Sequence, residues 1–383
     1  MKYLAVLGRQ PEISLAELRA LFADAKQISH NLATFSYDLT PEIVRFGGSL
    51  KIAEELTVAP IDYLRELPEG KITIGVSDYS QRASVRTAQN EALKLKQILV
   101  RHGRSVRVVE NREAALSTAT SLHNGLSGHN PKKVELIKTD NGWWRVIGVQ
   151  DIEAYARRDQ ARPARDAKVG MLPPKLAQIL INLCGPLPEG SRILDPFCGT
   201  GVVLQEALLM GYRAYGTDIN ERMVEYSKRN LEWLAMDATE KSFSGRSGPL
   251  GQVLCPSKDF SVATGDATSF QWEQPIDAVA CEGYLGRPMS LPPAEIKLKA
   301  EKQECGAIIL GFLKNLSTQI KSGTPVVMAI PAWLRPDGNY SRLGIVDEIV
   351  KLGYNVMNKS SDGLLYAREG QVVAREIIIL RKK

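Results

Sequence analysis

The string Ile193-Leu194-Asp195-Pro196-Phe197-Cys198-Gly199-Thr200-Gly201 constrains this chain more than any other segment. An apolar strand runs into an acid, a turn with two glycines follows, and residues 202–210 then read as a helix. Gly199 and Gly201 carry no Cβ, so the backbone there can turn sharply and approach a ligand closely. A strand, a glycine-rich turn and a helix form the opening unit of a doubly wound α/β sheet, whose ligands bind beyond the carboxyl ends of the strands.

Where such turns hold nucleotides, the helix N-terminus faces a pyrophosphate. Here the strand ends in Asp195, which suits a cation or a hydroxyl and repels a phosphate. Asp218 ends the next strand, 17 residues past Gly201, where a carboxylate binds ribose hydroxyls. Asp266, in Gly265-Asp266-Ala267, follows a third strand and is placed to accept from an adenine amine. S-adenosylmethionine matches this set, with a sulfonium, an ammonium and ribose hydroxyls but no phosphate. The competing reading is that Asp195 and Asp266 only cap turns.

Strand and helix patterns alternate from Pro173 onward, predicting a mostly parallel, Rossmann-like sheet. Helices are expected at 175–183, 202–210, 221–235 and 301–319, and strands at 192–194, 213–217, 260–263, 278–281, 326–330, 363–367 and 376–380. Residues 237–257, rich in Ser, Gly and Lys, read as an insertion. Upstream, two small α+β units are expected, at 1–75 and 76–155, with a linker at 156–172. In the first, Ser14 and Glu17 suggest a capping box for a helix ending at Phe22, and 43–55 reads as partly helical. In the second, Ala88–Arg101 is a helix with Ala92, Leu95, Ile98 and Leu99 on one face, and Asn141-Gly142 marks a hairpin. Trp143 and Trp144 alternate across a strand, so at least one belongs to the core.

Of the 383 residues, 44% are hydrophobic and 24% charged, which supports a packed core and argues against disorder. The net charge of +6 permits a polyanionic partner. It is concentrated: Arg82, Arg86, Lys94, Lys96, Arg101, Arg104, Arg107 and Arg112 crowd one segment, where only Glu91 and Glu110 intervene. Such a cluster tracks phosphates or is simply a solvated helix face. Arg157, Arg158, Arg162, Arg165 and Lys168 extend the run, unless neighbouring acids pair them. The cysteines (Cys184, Cys198, Cys255, Cys281, Cys305) are odd in number and form no CxxC, which argues for a reducing, cytoplasmic setting. The four histidines show no ligand spacing, so no metal is expected. No apolar run is long enough for a membrane span.

The turn from Asp195 to Gly201 resembles the cofactor motif of methyltransferases acting on exocyclic base amines. The pattern RRD…RP…LPPKLAQILINL between Asp151 and Asn182, the opening YLAVLGRQPEISLAELRALF, and Arg368-Glu369-Gly370-Gln371 with Arg375-Glu376 are similar to the THUMP-domain tRNA guanosine-N2 methyltransferases, which modify position 10. The resemblance implies a ferredoxin-like domain at 1–75, a THUMP module at 76–155 that holds tRNA, and a catalytic domain from 173. It puts cofactor contacts on Asp195, Phe197, Gly199, Gly201, Asp218, Asp266 and Ala267, with Met171, in 170–172, closing over the methionine part. A monomer is expected, and a small activator subunit, as in some relatives, stays open.

The family carries Asp/Asn-Pro-Pro-aromatic at the end of the fourth strand. Here the same place reads Glu282-Gly283-Tyr284. In the functional reading Glu282 accepts from the target amine and Tyr284 stacks on the base. In the structural reading Glu282 is a strand-end acid and Tyr284 packs into the fold. Guanine N2 is the favoured acceptor, with adenine N6 open. The alternatives are a DNA or other RNA amino-methyltransferase, a small-molecule methyltransferase, and a cofactor-holding RNA-binding protein without activity.

Overall fold

The computed structural model describes residues 1–166, 171–239, 259–358 and 363–383. Two compact units appear, Met1–Ala156 and Arg157–Lys383.

The first unit contains β1 (Lys2–Leu7), α1 (Pro11–Leu21), β2 (Lys26–Ser29), β3 (Leu32–Ser36), β4 (Ser49–Glu55), α2 (Pro60–Arg65), β5 (Ile72–Asp78), α3 (Val85–Arg101), β6 (Val106–Val108), α4 (Thr118–His123), β7 (Lys133–Thr139) and β8 (Gly142–Val149). They form one eight-stranded sheet, ordered β2-β3-β1-β4-β8-β7-β5-β6. The division expected at residue 75 falls inside β5, and antiparallel pairing of β4 with β8 carries the sheet across it.

Several local expectations change. Helix α1 starts earlier, with Pro11 in its first turn and Gln10 as N-cap; proline pre-sets φ there and its missing N–H costs nothing. Ser14 therefore lies inside the helix, donating to Gln10 O at 3.1 Å. Glu17 is fully buried and accepts from Gly47 N (2.9 Å) and Gly48 N (2.8 Å), so it pins a loop and caps nothing. Residues 43–55 hold a single 3-10 turn, Ile43–Arg45, before β4; pairing on both edges overrides the helical pattern. The hairpin turn is Asp140-Asn141, one residue earlier than expected, because Gly142 already pairs with Thr139. Helix α3 opens with a Ser84–Thr87 capping box and buries Ala88, Ala92, Leu95 and Leu99; Ile98 is only half-buried. Trp144 is core and Trp143 half-buried.

After α5 (Ile152–Gln160), the second unit runs α6 (Pro174–Leu183), β9 (Arg192–Asp195), α7 (Val202–Leu209), β10 (Arg213–Asp218), α8 (Glu221–Thr239), β11 (Phe260–Thr264), β12 (Ala278–Glu282), α9 (Glu295–Ser317), β13 (Pro325–Leu334), β14 (Tyr340–Arg342), α10 (Val346–Lys351), β15 (Tyr354–Val356), β16 (Leu365–Tyr366) and β17 (Val373–Lys382). The strand order is β11-β10-β9-β12-β13-β17-β15. Strands β9 to β13 are parallel, and β17 enters antiparallel between β13 and β15. This is a doubly wound, Rossmann-like sheet. Its order reverses at β9, so the switch point lies between the ends of β9 and β12. Beneath it, α9 packs Ile309, Phe312 and Leu313 against Val279, Met328 and Trp333. The expected insertion at 237–257 falls mostly outside the described residues, as do Cys255, Lys168 and Gly170.

Candidate functional site

Three carboxylates end neighbouring parallel strands. Asp195, on β9, is 2% exposed, and its Oδ1 accepts from Phe197 N at 3.1 Å. Among the described residues no cation pairs with it. Burial holds its pKa well above the usual carboxylate range; the Phe197 N–H opposes this, and Asp218 and Glu282 add to it. Asp218, on β10, accepts from Gly199 N (2.9 Å) and Asn220 N (2.8 Å), and burial raises its pKa against both N–H groups. The two acids thus bracket the glycine turn, with Asp195 bonding its start and Asp218 its middle.

The turn requires its glycines. Gly199 and Gly201 have φ of +50° and +83°. A Cβ at Gly201 would lie 2.7 Å from Ser227 Oγ, whereas one at Gly199 would meet nothing within 4 Å. Gly201 therefore permits packing against α8, and Gly199 faces open space.

Glu282, at the end of β12, pairs with Arg375 of β17, which reaches it across β13. Burial raises the Glu282 pKa and Arg375 pulls it back down. Glu376, next to Arg375, takes Arg342 at 2.9 Å. This pairing leaves no mark in the linear sequence. Strand β16 pairs antiparallel with β17, but nothing linear connects Arg375 to Glu282.

Tyr284 takes the packed arrangement: its ring lies against the core and its hydroxyl donates to Glu304 Oε1 at 3.3 Å. Phe197 likewise packs edge-on against Phe312, 5.3 Å between centroids. Asp266 is exposed and accepts from Thr268 N (2.9 Å) and Thr268 Oγ1 (2.8 Å), so it does close a turn. Ala267 is buried, and its carbonyl accepts from Asn315 Nδ2 at 3.0 Å.

The segment expected as a linker is packed into the second unit. Arg158 bonds the buried Glu206 of α7 at 2.7 Å, which removes it from the basic run. Ala164 N donates to Asn230 Oδ1 (3.0 Å), and Asn230 Nδ2 donates to Ala164 O (2.9 Å) and Thr200 O (2.8 Å). Arg162 is buried beside them and reaches Met171 Sδ at 3.5 Å.

The basic cluster of the first unit divides. Arg82, Arg86, Lys94, Arg101, Arg107 and Arg112 are exposed. On α3, Arg86, Lys94 and Arg101 fall within about 80° of one another at ~100° per residue. Arg107 donates to Asn124 Oδ1 at 2.9 Å. Arg104 is withdrawn: its guanidinium bonds the carbonyls of Leu67 (2.9 Å) and Pro68, fastening the loop after α2.

The four cysteines in the described residues are buried. Burial pushes the thiols of Cys198 and Cys281 well up, so neither is poised as a nucleophile. Among the described residues no group of three His, Cys, Asp or Glu side chains could hold a metal ion, and no helix is long and apolar enough to cross a membrane.

Residues 162–282 match the UPF0020 family, described as an RMKL-like methyltransferase domain. The chain is 32% identical to a tRNA (guanine(10)-N2)-dimethyltransferase of Methanothermobacter thermautotrophicus, over 46% of this chain and 44% of that protein. It is 27% identical to the protein of the same name from Pyrococcus abyssi, over 76% and 80%. The crystal structure of TrmN from Thermus thermophilus aligns over 100% of both chains at 18% identity, with a TM-score of 0.47. The first of these matches thus spans less than half of the relative's length.

Proposed function

We propose that the chain, whose residues 162–282 match the RMKL-like methyltransferase-domain family, is a tRNA methyltransferase that moves a methyl group from S-adenosylmethionine to an exocyclic base amine, guanine N2. The observation that carries this reading is a pair of acids ending the neighbouring strands β9 and β10 beside the switch point, Asp195 buried and Asp218 half-buried. Asp195 and Asp218 have backbone N–H partners but no cation among the described residues. A buried acid without a counter-charge is costly, and a cationic ligand rich in hydroxyls relieves it. The residues therefore fit this cofactor. Asp195 takes a cationic or hydroxyl group, Asp218 accepts from ribose hydroxyls, and Gly199 leaves room for close approach. The names of the two archaeal relatives support a tRNA guanine-N2 target.

Bound S-adenosylmethionine supplies an electrophilic methyl. The protein's part is to aim a nitrogen lone pair at it. Glu282 stands at the mouth of the switch point and accepts from the amine N–H. Arg375 favours the ionised form of Glu282 against burial and fixes its direction. No covalent intermediate is required. The exposed α3 face, with Arg86, Lys94 and Arg101, holds tRNA through its phosphates, as the THUMP-like resemblance implies.

The test is transfer of labelled methyl from S-adenosylmethionine into unmodified tRNA, followed by digestion and identification of the nucleoside. N2-methylguanosine or its dimethyl form is expected. N6-methyladenosine would move the target while keeping the chemistry. Absence of label in any nucleoside, with intact cofactor binding, would overturn the reading.

A further inference from the structure

We infer that Arg162 is an anion receptor for the amino-acid end of the cofactor, taking its α-carboxylate beside the start of α7. The inference rests on the methyltransferase reading above.

Arg162 has a fully buried side chain, 0% exposed. A buried guanidinium normally satisfies its five donors, with a carboxylate taking two in parallel. Here Nη1 donates to Thr200 Oγ1 at 3.2 Å and Nη2 points to Met171 Sδ at 3.5 Å, a weak acceptor. Among the described residues Nε has no partner. The nearest acid, Asp159, is half-exposed at 3.9 Å, and Glu206 is engaged by Arg158. A permanently charged group thus lies in the interior, short of one close anion.

Its position names the anion. Thr200 belongs to the glycine turn, immediately before Gly201, which is the N-cap of α7. That helix start carries no side-chain cap, so its first N–H groups, and the positive end of its dipole, also lack a side-chain acceptor. The guanidinium and the uncapped helix start meet at the same turn whose backbone Asp195 and Asp218 bond. The acids there suit the ammonium and the ribose. Of the cofactor's groups, only the carboxylate is an anion. RNA phosphates are matched by the exposed arginines of the first unit, whereas Arg162 bonds Thr200 of the glycine turn itself.

The test compares two ligands that differ by this one group, S-adenosylhomocysteine and its decarboxylated analogue, by calorimetry with the full chain. Wild type is expected to prefer the carboxylate form by ~30-fold or more, equivalent to about 2 kcal/mol. Arg162→Met is expected to reduce the preference below ~3-fold while leaving the analogue's affinity unchanged, and Arg162→Lys to keep part of it. A wild-type preference near one overturns the inference without any variant being made. Equal loss of both ligands in Arg162→Met also overturns it, since that outcome marks a residue that only props the turn. A wild type that binds neither ligand removes the methyltransferase reading itself. Binding with the expected preference, but without methyl transfer to tRNA, supports the inference and removes only the tRNA target.

Discussion

Replacing Arg375 by methionine would leave Glu282 at the end of β12 without its cation. The two side chains are 5% and 17% exposed, so little solvent screens the pair. Removing one partner of such a pair costs about 3 kcal/mol, because the survivor is left charged or must bind a proton. In a unit of this size that lowers the melting temperature by ~6–12 °C. Glu282→Gln is expected to cost a similar amount by stranding Arg375. The double variant Glu282→Gln/Arg375→Met removes both charges and should return to within about 1 kcal/mol of wild type, a coupling of ~2 kcal/mol or more. Scanning calorimetry measures this, with the relevant transition identified as the one that S-adenosylhomocysteine raises. Activity should divide differently. Arg375→Met leaves Glu282 with a pKa raised by burial alone, so the acid limb of its rate profile moves upward and alkaline buffer restores part of the rate. The double variant stays inactive at every pH. Additive single costs, or a shift under 1 °C in Arg375→Met, would refute the reasoning, since the pair would then behave as a solvated surface contact.

Gly201→Ala pays for its left-handed φ with ~1–2 kcal/mol and adds the Ser227 contact, so thermal stability should fall further than in Gly199→Ala; isothermal titration should show the reverse order for ligand affinity, because only Gly199 faces open space. The raised pKa values of Asp195, Asp218 and Glu282 mean that the folded unit holds more protons than the unfolded chain. Their stabilising contribution is therefore complete below the unfolded carboxylate value of ~4 and is lost as pH rises through the folded values. Affinity for the cationic cofactor, which needs the ionised acids, should rise over that same interval, and an affinity that stays flat as pH rises above the unfolded carboxylate value would contradict the assignment. Charge removal at Arg86, Lys94 and Arg101 together should reduce the slope of log affinity for tRNA against log salt by ~2–3. Arg104→Gln should leave that slope unchanged while lowering the melting temperature, since its guanidinium fastens a loop.

What the sequence discloses is local. The run from Ile193 through Gly201 into α7 is legible because strand, turn and helix are contiguous and each residue's role follows from its neighbours. Asp218 is legible for the same reason, one unit further on. Glu282 can be located at a strand end, but its state cannot, because Arg375 arrives from a strand that inserts antiparallel beside β13. Arg162 reads as one more arginine in a basic run until Asn230 and Thr200 are seen to draw its segment inward. Glu17 is misread as a cap because a buried carboxylate bonding distant N–H groups has the same local spacing as a capping box. Residues 43–55 mislead in the opposite way: their helical periodicity is real but weaker than pairing on two sheet edges. The short elements β14, α10 and β15 carry too few residues to display a period.

The placement of β17 also bears on how the protein is made. Both of its flanking strands, β13 and β15, precede it in the chain, so the edges that β17 joins antiparallel stay bare in a nascent polypeptide until 373–382 has been synthesised. Such edges template pairing with other chains. Arg375 travels on the same strand, so Glu282 is without its counter-ion over the same interval. A message truncated before β17 would yield an aggregation-prone species, not merely a less stable version of the same fold.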